Sequence, residues 1–500
     1  MNRPIRNLAI GCLVLFLALL INVTYLQYWQ ADSLTSLSKH PDNRRVLDAA
    51  YSRPRGAILV KGKQIADSVK SHDDYKYQRV YPQGRQYAQI SGFFSRDWGL
   101  GGIEATQNSI LSGDDSKLFV NRVIDLLGNQ DPRGGSVSLT IDPKAQKAAY
   151  DGLKALGANV RGAVVALQPS TGKVLAMVSS PTYDPNRLAS HDFVAVNQAH
   201  KDLLANPLQP LNNRAIETVL PPGSTFKLVT AAAALESGKY QPDTMVPGGA
   251  SLDLPQTTKN LVNEGGGSCG GDKITLTRAL QVSCNVSFGS VGLKVGADAI
   301  RQQAEKFGFG QRYFDDLDDS LTRQAPSRFP DNPDAPQTAL SAIGQFDVAA
   351  TPLQMAMVAA GIANNGTVMK PYLVDQLRSN DLEVIEQGGP NGKGPEALTE
   401  NAISAATARN LTDMMVAVVD NGTATNAQIP GVQVAGKTGT AQSAADRPPY
   451  AWFVSFAPAD SPSVAVAVLV ENAGVDRGEI SGNGLAAPIA KAVMEAVLNP

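Results

Sequence analysis

The sequence predicts a mixed α/β chain: a sheet with helices on both faces, preceded by a membrane-spanning segment and a separate N-terminal domain. Three observations predict it. Two short apolar runs, 163–167 and 173–178, flank Pro169-Ser170-Thr171-Gly172 and read as a hairpin. Residues 451–457 and 463–470 read as two further strands, and 486–498 as a closing helix. Apolar runs at 228–235 and 350–364 read as buried helices, the second starting at Thr351-Pro352 with proline in its first turn.

Taken in order, residues 7–31 carry no charge, and 8–23 are apolar enough to form most of a membrane span. Arg3 and Arg6 precede this run, while Asp32 and Lys39 follow, so the N-terminus is expected in the cytoplasm and the rest outside. A cleaved signal peptide is the rival reading, but Tyr25, Tyr28 and Trp29 stand where a small-x-small site would be and suit a membrane interface. Cys12 is expected to be a buried helix residue rather than a lipidation site.

Residues 32–155 mix charges with short apolar runs and include the turn-rich Asp131-Pro132-Arg133-Gly134-Gly135. They are read as an N-terminal domain without chemistry of its own, with residues 156–500 forming the main domain. In an oxidising outer compartment Cys269 and Cys284 can pair, and closing a loop of that length would contribute about 3 kcal/mol. Spacing leaves two separate thiols equally open.

With 500 residues and 43% apolar composition, the chain can hold two or more cores. Its net charge of −2 offers no footprint for nucleic acid. The four histidines, His40, His72, His191 and His200, lack zinc-motif spacing, and no metal or cofactor is expected.

Ser224 and Lys227 place a nucleophile and an amine three residues apart, behind Pro221-Pro222-Gly223 and at the head of an apolar, Ala-rich run. On a helix starting here both share one face, and the Ser224 N–H lies at the positive end of the helix dipole. Ser-x-x-Lys also occurs at Ser36 to Lys39, read as solvated linker, and at Ser170 to Lys173, read as a turn. Two later clusters supply complementary groups: Ser283-Cys284-Asn285 and Lys437-Thr438-Gly439-Thr440, the latter in an alternating strand-like run. Ser-x-Asn recurs at Ser481-Gly482-Asn483, so the pattern is weak alone. The three clusters together, in this order, are specific.

This set resembles the penicillin-interacting serine enzymes, whose Ser-x-x-Lys, Ser-x-Asn and Lys-Thr-Gly elements build one site. Gly162-Ala163-Val164-Val165, Tyr183-Asp184-Pro185-Asn186, Gly344-Gln345 and Thr351-Pro352-Leu353-Gln354 look like landmarks of the same transpeptidase domain. Arg55-Gly56-Ala57-Ile58 and Gly101-Gly102-Ile103-Glu104 resemble the N-terminal domain of class B penicillin-binding proteins, although Val60-Lys61-Gly62 replaces the usual Asp-Arg-Asn-Gly. The resemblance implies a β-lactamase/transpeptidase-like α+β fold: a five-stranded antiparallel sheet between helices, with an all-helical subdomain carrying Ser283 and Asn285.

It also implies a D,D-transpeptidase acting on peptidoglycan stem peptides through a serine acyl-enzyme, inhibited by β-lactams, with roles in division and cell shape. Ser224 is then the nucleophile. Lys227 is its base, activated by burial and by the second ammonium of Lys437. Ser283 relays a proton, and Asn285 bonds both substrate amide and Lys227. Thr438 and Thr440 bind a terminal carboxylate, Gly439 leaves room for a peptide along the strand edge, and the N–H groups of Ser224 and Thr440 form the oxyanion hole. The N-terminal segment is too short for a glycosyltransferase module, so a separate glycosyltransferase and division proteins are expected partners. The competing functions are a D,D-carboxypeptidase or β-lactamase, and a non-catalytic scaffold or β-lactam sensor.

Overall fold

The computed structural model describes residues 3–30, 51–119, 133–318, 323–441, 448–474 and 480–499. The Ser36 to Lys39 motif and much of the expected linker after the membrane segment lie outside them.

The first helix, Arg3–Thr24, has 22 residues and none is buried against protein. At 1.5 Å per residue it is about 33 Å long, enough to cross the hydrocarbon layer. Cys12 lies on this helix and, like its neighbours there, is not covered by other described parts of the chain.

A six-stranded sheet follows, in the order Val384–Gln387, Val374–Arg378, Ser136–Leu139, Ile58–Val60, Lys63–Lys70, Tyr77–Val80. Ile58–Val60 and Lys63–Lys70 are joined by Lys61 and Gly62, at φ 45° and 77°. Two successive positive φ values make the hairpin turn that matches strand twist, which accounts for Lys61-Gly62 in the sequence. Beside the sheet, Glu104 is enclosed by Arg55 Nε at 2.5 Å, Arg79 Nε at 2.6 Å and the Tyr81 hydroxyl at 3.1 Å. All four residues are buried. Burial alone would raise the Glu104 carboxyl, but Arg79 and Arg55 together hold it below the usual carboxylate range.

The second sheet has five antiparallel strands, in the order Ala435–Ala441, Tyr450–Ala457, Val464–Asn472, Arg161–Leu167, Val174–Ser180. Its central strand is buried from Val464 to Glu471, the continuous apolar pattern expected when helices cover both faces. Helix Pro352–Ala363 is buried along its whole length and crosses the three central strands, which is why its sequence shows no amphipathic period. Helices Pro143–Ala155 and Ala487–Leu498 pack together against the sheet. Asp142 starts the former by accepting from the N–H groups of Lys144 and Ala145. Ser170 and Lys173 lie at the hairpin, where Lys173 Nζ pairs with Asp375 Oδ1 at 2.7 Å.

Packing interleaves the two parts. Helix Pro143–Ala155 belongs to the layers of the five-stranded sheet, and the hairpin Val374–Arg378/Val384–Gln387 extends the six-stranded one. The subdomain bearing Ser283 is not all helical. Besides Leu276–Gln281, Asn285–Val295 and Ala297–Lys306 it holds two small strand pairs, Met245–Pro247 with Lys273–Thr275 and Ser251–Asp253 with Asn260–Val262. Three-residue strands leave no alternation long enough to read.

Candidate active site

Pro222 and Gly223 bring the chain into close contact with Gly344: Gly223 N donates to Gly344 O at 3.0 Å. A Cβ on Gly344, at φ 75°, would stand 2.1 Å from Gly223 O, so this landmark glycine is fixed by the backbone approach. Ser224 then lies in a 3-10 turn, Gly223–Phe226, and the α-helix begins only at Lys227, running to Glu236. At three residues per turn, positions i and i+3 eclipse, so Ser224 and Lys227 still share a face.

Lys227 and Lys437 are both fully buried. Lys227 Nζ donates to Ser283 O and Asn285 Oδ1, each at 2.7 Å, and lies 3.3 Å from Ser283 Oγ. Lys437 Nζ donates to Ser283 Oγ at 2.9 Å and to Thr438 O at 2.8 Å. The Ser283 hydroxyl therefore sits between the two amines. Burial pushes Lys227 well below its ordinary range, Lys437 adds to the depression, and Glu264 opposes it. Burial likewise brings Lys437 down to about 7, again against Glu264.

Ser283 holds φ 60°, a left-handed conformation that costs a non-glycine residue about 1–2 kcal/mol. The turn is over-determined: Ser283 N donates to Leu280 O, Cys284 N to Ala279 O, and Cys284 is disulfide-bonded to Cys269. Asn285 opens the next helix, and its Nδ2 donates to Val262 O at 3.0 Å. Its carbonyl oxygen is thereby aimed at Lys227.

Ala435–Ala441 is an edge strand. Gly439 is needed by the serine turn: a Cβ there would lie 2.9 Å from both Pro222 O and Thr225 Cγ2. The Thr438 hydroxyl is paired with Thr423 Oγ1 at 2.7 Å, while Thr438 and Thr440 line the cleft.

Ser224 opens onto two grooves. One, about 640 Å³, is polar, with Ser283, Thr438, Thr440, Thr423, Glu264, Arg278 and Ser481 on its wall. The other, about 620 Å³, has Asn285 and the apolar Val262, Leu340, Ile343, Phe346, Pro449 and Ile480. Thr423, Glu264, Arg278 and Phe346 were not picked out by sequence reasoning. Thr423 follows Gly422 at the end of helix Ala405–Asn421, a helix-stop signal that marks the turn without marking its neighbours. The discounted Ser481-Gly482-Asn483 also borders the polar groove, with Ser481 Oγ accepting from Gly484 N at 3.0 Å.

A serine at a helix head, two buried lysines joined through one hydroxyl and an edge strand make an arrangement suited to serine acyl transfer. The penicillin binding protein transpeptidase domain model matches residues 162–495, and the penicillin binding protein A dimerisation domain model matches residues 55–137. The chain belongs to the penicillin-binding protein transpeptidase family. It is 44% identical, over 100% of its length and 99% of the relative's, to the peptidoglycan D,D-transpeptidase PbpA of Mycolicibacterium smegmatis. Identity to PbpA of Mycobacterium tuberculosis is 42%, with the same coverage. The penicillin G acyl-enzyme complex of M. tuberculosis penicillin-binding protein A superimposes with a TM-score of 0.83 at 43% identity, covering 89% of this chain and all of that one.

Proposed function

We propose that this chain is a peptidoglycan D,D-transpeptidase that cross-links stem peptides through an acyl-enzyme on Ser224 and is inhibited by β-lactams. The observation that carries the reading is the Ser283 hydroxyl between Lys227 and Lys437, on the wall of a groove that Ser224 also lines. A neutral amine among these lysines removes the Ser224 proton as Oγ attacks the D-Ala-D-Ala carbonyl. The N–H groups of Ser224 and Thr440 receive the oxyanion, and Thr438 and Thr440 face the terminal carboxylate. As the C–N bond breaks, a lysine proton passes through Ser283 to the departing D-Ala amine. An acceptor amine then displaces Oγ, converting ester to amide and returning a proton to Ser224. Asn285 orients Lys227 and can hold the substrate amide.

In the same reading residues 1–31 are a cytoplasmic tail and single-pass anchor, 32–155 a non-catalytic pedestal, and 156–500 the catalytic domain outside the cell membrane. Arg3 and Arg6 before the apolar helix support that orientation. Work in division and cell shape, alongside a separate glycosyltransferase, is the role that the resemblance to penicillin-binding protein A supports.

Intact-mass spectrometry after exposure to penicillin tests the reading. A lasting adduct of one penicillin that disappears in Ser224→Ala is expected; rapid adduct loss with drug turnover would indicate a β-lactamase, and labelling that survives the substitution would remove Ser224 from the reaction.

A further inference from the structure

The polar groove beside Ser224 carries one carboxylate and one guanidinium on its wall, Glu264 and Arg278. They are not paired with each other among the described residues; Arg278 Nη1 donates instead to Gln281 Oε1 at 2.8 Å. Glu264 borders both grooves, so it stands where they meet at Ser224. It is followed by Gly265 and Gly266, both at positive φ, and its side chain is exposed.

We propose that this groove admits the acceptor as an α-amino acid terminus, with Glu264 holding its ammonium and Arg278 its carboxylate. This rests on the transpeptidase reading above. An aliphatic amine arrives protonated at neutral pH, and a protonated lysine at the site repels it. A carboxylate beside Ser224 offsets that repulsion. A guanidinium on the same wall favours an amine that also bears a carboxylate, through charge-assisted hydrogen bonds. The bound ammonium releases one proton to water in the open groove; its nitrogen lone pair forms the C–N bond; the C–Oγ bond breaks; and the second N–H proton passes through a lysine to Ser224 Oγ. Glu264 stays ionised throughout and is a positioning residue.

The test uses the full chain in detergent with an acyl-D-alanyl thioester donor, reading how one acyl-enzyme partitions between hydrolysis and transfer. Acceptors are D-alanine, D-alaninamide and hydroxylamine, the last largely uncharged at neutral pH. Glu264→Gln is expected to raise the half-saturating D-alanine concentration about tenfold, the scale of a lost charged hydrogen bond, and to change hydroxylamine transfer much less, through its effect on the two lysines alone. Glu264→Asp should recover part of the loss, and Arg278→Gln should erase the preference for D-alanine over its amide. Unchanged D-alanine saturation in Glu264→Gln, or equal losses for D-alanine and hydroxylamine, overturns the proposal while the transpeptidase reading stands. Failure of the unsubstituted chain to form any acyl-enzyme overturns that reading and the proposal with it.

Discussion

Lys437 shows what burial does to an amine at this site. Removing an ammonium from water disfavours its charged form, and at about 7 the Lys437 amine loses its proton near neutral pH, some three units below an ordinary lysine. Because Ser283 Oγ bonds to both amines, the two lysines titrate as a pair. The neutral form is the base, so penicillin acylation is expected to rise with pH up to about 7 and level off above it. Stopped-flow acylation rates across the range check this; a rate flat through neutrality would mean that Lys437 is not the base. The groups gathered around the two lysines were legible because each lies in a short local motif: Ser224 with Lys227, Ser283 with Asn285, and Lys437 with Thr438. Glu264 and Thr423 were not, since their place depends on where loops from distant segments come to rest.

At the scale of elements, the strained Ser283 turn needs a support that its sequence neighbours alone do not supply. The cross-link between Cys269 and Cys284 ties that turn to the loop holding Glu264, across a separation of 15 residues. In the chain-entropy account such a closure contributes about 3 kcal/mol. Replacing both cysteines by serine is therefore expected to lower the thermal midpoint by several degrees and to slow acylation, because the Ser283 hydroxyl is then less firmly held between the amines. Scanning calorimetry and penicillin acylation rates measure the two effects separately. Unchanged values for both would show that the backbone bonds of Ser283 and Cys284 suffice. The long hairpin at 163–178 was legible from alternating apolar runs around a turn, whereas the three-residue strands near Met245 and Ser251 carry too little pattern to be seen. Gly439 was legible as special, but not for its part in packing. Its missing side chain admits the serine turn, a contact between segments far apart in sequence.

Across the whole molecule, the two sheets are not independent bodies strung on a linker. Hairpin Val374–Arg378/Val384–Gln387 adds to the N-terminal sheet directly beside Ser136–Leu139, and helix Pro143–Ala155 covers the catalytic one. Composition suggested a clean division near residue 155, because a linear reading has no access to strands that return from elsewhere. Interleaving of this kind predicts coupled unfolding. Glu104, buried between Arg55 and Arg79, is the sharpest place to perturb it. Its carboxyl is held below the usual range, so the triad stabilises the fold above about pH 4.3, where the unfolded carboxylate is ionised, and that support is lost as pH falls through the folded value. Glu104→Gln leaves two buried guanidinium groups without their anion, a change that costs about 3–5 kcal/mol. Denaturation of the full chain should show this loss, and the temperature at which the protein ceases to bind penicillin should fall with it, although Glu104 lies beside the other sheet. If penicillin binding in Glu104→Gln survives to the unsubstituted chain's temperature after the N-terminal sheet has melted, the two sheets unfold separately and the returning hairpin does not couple them.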